Sequence, residues 1–254
     1  MRAYSAESLV LRTYRYGEAD RIVVFLTEDR GKKRGAAPNA TNSRRRFGAA
    51  LEPLTQGRVA YVEREQRDLV RLDRIELRRS PLGAVDGRPV DDAAHVLGHA
   101  AYFAELLDEW APEGAPNERL FRLGVAVGEA LGRGGSVEAL ARYFEYWLMR
   151  LEGVYPSLGG CPRCGRSLTE GAALVTADRA YVCWSCTPGA ARLSGAAVAF
   201  LRAAATRAPA DMALDRTPLG LLREIESVHH TLIALHLERE PRSAKIVREL
   251  RPES

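Results

Sequence analysis

The spacing of apolar residues changes from a period of two to a period of about 3.6 a little after residue 80. Before that point, short runs rich in β-branched and aromatic residues alternate with glycine and aspartate, as in strands. Val70 and Leu72 share one face of the last run and Ile75 and Leu77 the other, which predicts a β-bulge near Asp73 or Arg74. Five or so strands of this kind predict a small β-barrel. The clearest runs cover residues 8–14, 21–27, 57–63 and 69–77.

The rest of the chain favours helices. An apolar stripe runs from Ala93 to Trp110, and Pro218 stands where a proline suits the first helical position. The predicted helices begin after Pro89, Asn117, Ser136, Ser194 and Thr217. The predicted architecture is therefore a β-barrel followed by a helical bundle, with a small cysteine-bearing insert.

The four cysteines form two pairs of equal spacing, Cys161-x2-Cys164 and Cys183-x2-Cys186, separated by eighteen residues. This separation lies in the range of four-cysteine zinc sites, because each pair makes a tight turn that presents both sulfurs to one ion. Four thiolates close the coordination shell and leave no position for water or substrate. We expect one structural Zn²⁺ per chain; two disulfides, or a site that has lost its metal, are the alternatives.

Positive charge is concentrated near the N-terminus. Residues 1–80 carry 18 Lys and Arg against 11 Asp and Glu, whereas the chain as a whole has a net charge of only +4. Charge this dense favours a linear polyanion such as nucleic acid, and a solvated loop kept charged for solubility is the alternative. The predicted DNA-contacting residues are Arg30, Lys32, Lys33, Arg34, Arg44, Arg45 and Arg46.

Little in the sequence indicates catalysis. Residues 31–35 lack the spacing and the hydroxyl of a phosphate-binding G-x-x-x-x-G-K-[ST] loop. His95 and His99 are one helical turn apart but have no third ligand, so we interpret them as structural. The histidines at 229, 230 and 236 are interpreted in the same way. We expect a protein that is not an enzyme. A zinc-dependent nucleic-acid enzyme is the alternative, although no histidine lies within forty residues of the cysteines.

No run approaches the ~20 consecutive apolar residues that span a bilayer. The N-terminus also lacks the apolar core of a signal peptide. We expect a cytoplasmic, nucleoid-associated protein with no membrane partner, a compartment in which cysteines stay reduced or bind metal.

Several motifs then follow one another in a particular order. LVL at residues 9–11, YGEAD at 16–20, RIVVFLT at 21–27 and Gly31 come first. RYFEYWL at 142–148, GVYP at 153–156 and CPRCG at 161–165 follow, and SAK at 243–245 stands near the end. Together they resemble the RecO family of bacterial recombination mediators over most of the chain.

The resemblance implies an α+β protein, with an oligonucleotide-binding-type β-barrel over residues 1–80 and a helical domain over 81–254 whose zinc module spans 158–190. It implies binding of single- and double-stranded DNA, annealing of complementary strands and help in loading RecA recombinase. The implied protein partners are RecR, RecF and the C-terminal tail of single-strand binding protein. An apolar pocket could hold that tail, with a rim drawn from Arg119, Arg122, Arg142 and Arg150.

A barrel of this kind presents a groove with aromatic side chains on which bases stack. The candidates are Tyr14, Tyr16, Phe47 and Tyr61, any of which is alternatively part of the core. Annealing needs no ATP, because base pairing supplies the free energy. The favoured hypothesis is a non-enzymatic DNA-binding mediator. The alternative is a protein-docking scaffold of a repair complex, whose basic strip only steers the encounter.

Overall fold

The computed structural model describes residues 1–64, 68–83, 92–187 and 191–250. It is a mixed α+β protein that divides into two compact units. The first unit contains Met1–Gly134 and the C-terminal segment from Pro241, and the second is Gly135–Glu240. The two units divide after Gly134. The predicted boundary near residue 80 concerns which segments fold independently, and it stays a prediction.

Five strands of the first unit close into a barrel in the order β1-β2-β3-β5-β4. Neighbouring strands are antiparallel except β3 and β5, which are parallel. The predicted bulge is confirmed, because Ala60 pairs with Arg74 and Tyr61 with Leu72, which leaves Asp73 without a cross-strand partner. The strands are β1 (Arg2–Tyr16), β2 (Asp20–Thr27), β3 (Gly31–Ala37), β4 (Gln56–Glu63) and β5 (Val70–Arg79).

The hydrophobic pattern does not reveal strand β3, because it carries three cations and then only small residues. The small residues have a packing role. A Cβ added to Gly35 would lie 3.2 Å from side-chain atoms of Phe25, Val70 and Leu72, so the neighbouring strands already fill that part of the core. Gly31 has a φ of +68°, and a Cβ there would lie 2.2 Å from the Ala115 carbonyl oxygen. Glycine is therefore required at the turn into β3.

The barrel core contains apolar side chains from all five strands and from the loop between β3 and β4. Phe47 of that loop and Tyr61 of β4 are both almost completely buried in it. Burial removes these two aromatic rings from the predicted set of base-stacking candidates. Tyr14 and Tyr16 remain, with exposed fractions of 44% and 53%.

In the described part of the first unit, three helices accompany the barrel: α1 (Ala93–Trp110), α2 (Glu118–Arg133) and, near the C-terminus, α7 (Arg242–Glu249). Helix α1 is buried on most of its circumference, since it packs against β1, α2 and α7. This is more than the single apolar stripe that the sequence predicts. Buried Glu105 of α1 accepts hydrogen bonds from the backbone N–H groups of Arg242 (3.0 Å) and Ser243 (2.8 Å), and so caps the start of α7.

The described residues of the second unit form four helices and a small sheet of order β7-β6-β8. Ser136 and Ser194 cap α3 and α4 as the sequence predicts. Pro218 is the N-cap of α6 and not its first helical residue, which corrects the predicted start by one position. The elements are α3 (Val137–Leu151), β6 (Gly171–Val175), β7 (Ala180–Val182), β8 (Ala191–Ser194), α4 (Gly195–Ala204), α5 (Pro209–Leu214) and α6 (Leu219–Leu237).

Among the described residues, no helix has both the length and the apolar character that crossing a bilayer requires.

Candidate nucleic-acid interface and metal site

The seven cations predicted to contact DNA fall on three parts of the barrel. Arg30 lies in the turn before β3, Lys32, Lys33 and Arg34 lie on β3, and the remaining three lie on the loop between β3 and β4. Alternate residues of a strand face opposite sides of the sheet, so Lys33 points away from the side that carries Lys32 and Arg34. The predicted strip is therefore distributed over several surfaces of the barrel.

Lys32 is almost buried, with an exposed fraction of 9%. Its Nζ lies 3.2 Å from Asp108 Oδ1 and donates a hydrogen bond of 2.5 Å to the Asp108 carbonyl oxygen. Its backbone N–H and C=O bond to Pro112 and Gly114. Lys32 thus joins β3 to helix α1 and the segment after it.

The other cations around β3 also have partners within the fold. Lys33 Nζ lies 2.8 Å from a carboxylate oxygen of Glu63, and Arg34 Nη2 lies 3.0 Å from one of Glu113. The Arg30 guanidinium stacks over the ring of Tyr4 at 4.1 Å. These groups remain partly exposed, so their ion pairs are weak and compete only modestly with phosphate.

The loop that joins β3 to β4 contains the remaining three arginines. Arg46 is half-buried and donates hydrogen bonds to the Pro38 carbonyl oxygen (2.6 Å) and to Ser43 Oγ (2.9 Å), so it organises the loop. Arg44 and Arg45 are exposed, and no carboxylate of the described residues lies within 4.0 Å of either guanidinium. Arg46 has no carboxylate partner either, but its hydrogen bonds to the loop occupy its guanidinium. Arg44 and Arg45 are therefore the exposed cations of the predicted set without a counter-charge among the described residues.

Acidic residues of helix α1 account for much of this difference. Arg12 of β1 lies 3.3 Å from Asp108 and 3.6 Å from both Glu105 and Glu109. These carboxylates neutralise the barrel cations that face α1. The sequence interpretation missed this role, although a helix carrying three carboxylates within five residues was a visible signal.

The two cysteine pairs come together in the second unit, where their four sulfur atoms all lie within 4.8 Å of one another. Cys164 Sγ and Cys183 Sγ are 3.6 Å apart, far beyond the ~2.05 Å of a disulfide. Four sulfurs bound at about 2.3 Å around one Zn²⁺ stand about 3.8 Å apart. The donor set therefore fits a tetrahedral metal ion, and the thiols do not form the alternative pair of disulfides.

The turns that hold these sulfurs are built by the backbone. Gly165 N–H donates to the Cys161 carbonyl oxygen (2.8 Å) and Cys186 N–H to that of Cys183 (3.0 Å), which closes one tight turn in each pair. Hydrogen bonding with the Cys183 backbone lowers the pKa of Cys161 to about 6, whereas hydrogen bonding with the Cys164 thiol raises the pKa of Cys186 to about 12. Thiols this close together have different pKa values, so they do not all ionise at the same pH. A bound dication stabilises the thiolate form of all four cysteines.

A buried polar network, not predicted from the sequence, crosses the second unit. Glu145 accepts from Arg142 (2.7 Å) and bonds to His229 Nδ1 (2.9 Å). His229 Nε2 lies 3.0 Å from the Tyr155 hydroxyl, to which Tyr181 of β7 donates at 3.3 Å. Burial raises the pKa of Glu145, but the Arg142 charge and the His229 hydrogen bond outweigh it and lower the pKa to about 2. His229 therefore has the structural role that the sequence interpretation gave it.

Arg142 cannot contribute to the rim of a peptide pocket, because only 3% of its side chain is exposed and it also pairs with Glu226 at 3.7 Å. Arg119 and Arg122 belong to the other compact unit. Arg150, two turns after Arg142, does line a pocket of about 450 Å³. The other lining residues are Tyr146, Tyr155, Pro156, Ser157, Leu158, Gly159, Leu201, Arg202 and Ala205.

Comparisons with known proteins agree with these features. The family described as "Recombination protein O N terminal" matches residues 1–81, and "Recombination protein O C terminal" matches residues 93–245. A DNA repair protein RecO of Geobacter sulfurreducens is 35% identical over 254 residues, which cover 99% of this chain and 100% of that protein. One of Koribacter versatilis is 43% identical over 167 residues, or 65% of each chain.

A third relative, a DNA repair protein RecO of Anaeromyxobacter sp. strain K, is 40% identical over 185 residues, which cover 72% of this chain and 70% of the relative. The two family matches lie on the barrel and on the helices with the cysteine module. The resemblance inferred from the motifs is confirmed: the chain belongs to the recombination protein O (RecO) family.

Proposed function

We propose that this protein is a non-enzymatic DNA-binding mediator of recombinational repair. It binds single- and double-stranded DNA, anneals complementary strands and helps to load RecA recombinase. RecR and RecF are its proposed protein partners, and the nucleoid its site of action. The proposal rests on family membership, on relatives named DNA repair proteins, and on a barrel with unneutralised cations.

The observation that carries the DNA-binding part is the exposed pair Arg44 and Arg45. Without carboxylate partners among the described residues, they attract phosphate without first breaking an intramolecular ion pair. All seven predicted cations stay in the proposed contact set, but we expect the largest contribution from these two. Contacts of this kind give affinity that depends strongly on salt and weakly on base sequence.

Strand annealing by the purified full-length protein, without nucleotide, tests the proposal. Two complementary labelled oligonucleotides should pair faster with the protein than without it, and an Arg44→Ala/Arg45→Ala variant should lose most of this acceleration. Pairing at the spontaneous rate, together with no detectable DNA binding at low salt, would contradict the proposed function.

The same assay separates the mediator from the alternative docking scaffold. A scaffold whose cations only steer encounter would bind its partner proteins yet leave the annealing rate unchanged. Arg166→Ala in the cysteine module is a suitable control, because it removes one exposed arginine that bonds to Ser185 and leaves the barrel intact.

We propose that the four cysteines bind one structural Zn²⁺ per chain. Arg163 supports the cluster, because it donates to the Cys186 carbonyl oxygen (3.1 Å) and to Asp178 (2.9 Å) and so joins the second cysteine pair to the β6–β7 turn. Elemental analysis of protein purified without chelators should find about one equivalent of zinc. Well under half an equivalent of any transition metal would contradict the assignment.

The pocket beside Arg150 is the proposed site for the acidic C-terminal tail of single-strand binding protein. Arg150 lies 5.4 Å from the Trp147 ring centroid, and Arg202 donates to the Leu158 carbonyl oxygen (3.2 Å), so both guanidiniums are held beside apolar walls. This combination suits a peptide with carboxylates and apolar side chains. A labelled tail peptide should bind the full chain saturably, and Arg150→Ala should weaken it. Unchanged binding in that variant would exclude the pocket.

A further inference from the structure

The outer surface of the barrel carries a groove that crosses strands β1, β2, β3 and β5. Two hollows of about 380 and 610 Å³ make up this groove, and both are lined by Leu69. Cross-strand pairing aligns Tyr14 with Ile22, Ile22 with Ala36 and Ala36 with Arg71, so these four residues form one row across the floor. Helix α1 limits one end of the groove through Asp108 and Glu109.

A bulge in β1 directs both exposed tyrosines into this groove. Val10 pairs with Phe25 and Arg12 with Val24, which leaves Leu11 as an extra residue. Val10 faces the barrel core, so strict alternation would also turn Tyr14 and Tyr16 inwards. The extra residue reverses the alternation and places both rings on the outer face. Bulges commonly re-aim side chains beside binding sites.

The ring of Tyr14 is held in place before any ligand arrives. Arg12 Nη1 donates a hydrogen bond of 3.2 Å to the Tyr14 hydroxyl. The Arg12 guanidinium is itself fixed by its ion pairs with Asp108 and Glu109 of α1. A ring held in this way loses little rotational freedom when a flat ligand stacks on it.

The spacing of the two rings suits a single strand. Residues two apart on an antiparallel strand are about 6.8 Å apart, roughly twice the 3.4 Å between stacked bases. The rings can therefore take one base each, or enclose one base between them. The bases of a duplex are already stacked on one another and present no free face.

The charges around the groove favour a polyanion. Five cationic and three anionic side chains line it, and Arg12 and Lys32 pair with Asp108. Arg64 and Arg71 at the Tyr16 end are exposed, and the only weak, exposed ion pair that Arg71 forms among the described residues is with Asp73 (3.6 Å). At that end the groove meets the loop that carries Arg44 and Arg45: Pro38 lines the groove and accepts from Arg46, and Thr41 N–H donates to the Ala19 carbonyl oxygen (3.0 Å). A strand that leaves the groove there reaches the unpaired arginines.

We propose that this groove is a base-stacking site for single-stranded nucleic acid, with Tyr14 and Tyr16 as the stacking residues and Arg71 and the loop arginines on the phosphates. This inference rests on the proposed DNA-binding function and adds a selection for unpaired strands. During annealing, the site releases bases as they become paired, because a formed base pair no longer fits against the rings.

The test compares a single-stranded oligonucleotide with a hairpin duplex of the same sequence. Tyr14→Ala/Tyr16→Ala should weaken single-strand binding by about 5- to 100-fold, leave duplex binding unchanged and keep the salt slope of wild type. Tyr14→Phe/Tyr16→Phe keeps both rings and should retain most of the affinity. Leu77→Ala is the matched control, since Leu77 is an exposed apolar residue of β5 (49%) that does not line the groove.

If the Tyr14→Ala/Tyr16→Ala variant loses single-strand and duplex affinity equally, or loses neither, the inference is overturned. If wild-type protein binds neither DNA, the proposed function is overturned as well. Photocrosslinking on wild-type protein avoids any folding defect of the variants. An oligonucleotide with 5-iodouracil should crosslink to Tyr14 or Tyr16, and crosslinks confined to other residues would contradict the site. Competition of the oligonucleotide by an acidic peptide with equal efficiency would identify the groove as a peptide site instead.

Discussion

Lys32 and Arg44 belong to the same basic run of the sequence, yet the structure gives them opposite roles. Lys32 is 9% exposed and bonds to the side chain and the carbonyl oxygen of Asp108. Arg44 and its neighbour Arg45 are exposed on a loop, with no carboxylate partner among the described residues. The first cation holds a helix against the barrel, and the other two are available to an anionic ligand.

Arg142 and Arg150, which lie on the same helix of the second unit, differ in the same way. Arg142 is buried between Glu145 and Glu226, whereas Arg150 lies at a pocket on the surface. The density of charge in a sequence therefore overstates the charge available to a partner. What decides the role of a cation is whether the fold already supplies its counter-charge.

The largest effect should come from removing a buried cation. Arg142→Ala removes the buried guanidinium that pairs with both Glu145 and Glu226, and should lower the free energy of unfolding by about 3–5 kcal/mol. Arg150→Ala on the same helix should cost no more than about 1 kcal/mol. Chemical denaturation of both variants measures the difference. Equal, small losses would mean that the buried pairs do not stabilise the second unit.

The same network should make the second unit sensitive to acid. The pKa of Glu145 is lowered to about 2, and burial lowers the pKa of His229 below its ordinary value of 6.5. Both groups bind protons more readily in the unfolded chain, so their contributions are complete above pH 6.5 and are lost as the pH falls. As the pH falls, the contribution of His229 is lost first, below pH 6.5. The contribution of Glu145 is lost between about pH 4.5 and 2.

Unfolding free energies measured from pH 8 to pH 2 test this order. Glu145→Gln should flatten the part of the curve below pH 4.5, and His229→Gln the part just below pH 6.5. A wild-type curve that is flat through both ranges would contradict the account of the network.

On the barrel, Lys32→Met should lower stability by about 1–3 kcal/mol, because it leaves the Asp108 carboxylate with Arg12 alone. Lys33→Met is the matched control, since Lys33 forms a more exposed pair with Glu63 and should cost about 1 kcal/mol or less. Thermal unfolding of the two variants gives the comparison. A Lys33 variant that is less stable than the Lys32 variant would reverse the assignment.

Much of the fold follows from local patterns. Four of the five barrel strands, the bulge at Asp73 and the caps at Asn117, Ser136 and Ser194 were all evident in the sequence. The cysteine cluster was evident because its spacing alone fixes the two turns. Strand β3 was not, since the residues that bury its small side chains come from β2 and β5.

The three clustered carboxylates of helix α1 were visible in the sequence, but the cations with which they pair were not. Nothing local to Lys32 or Arg12 shows that helix α1 supplies their carboxylates, because the contacts join residues 76 and 96 positions apart in the sequence. Likewise, the bulge at Leu11 depends on its pairing with β2, and this pairing decides that Tyr14 and Tyr16 face outwards. Contacts between residues far apart in the sequence therefore determine which of the predicted site residues are exposed to a ligand.

The most direct test of the account is the salt dependence of single-strand binding in two variants, Arg44→Ala/Arg45→Ala and Lys32→Met. We predict that the double variant binds all sequences more weakly and flattens the log–log salt slope by up to about 1.4, at about 0.7 per phosphate contact, with unfolding unchanged. Lys32→Met should flatten the slope much less than the double variant does, and it should lose stability. A double variant with wild-type affinity and slope, beside a Lys32 variant with a flattened slope, would contradict the account.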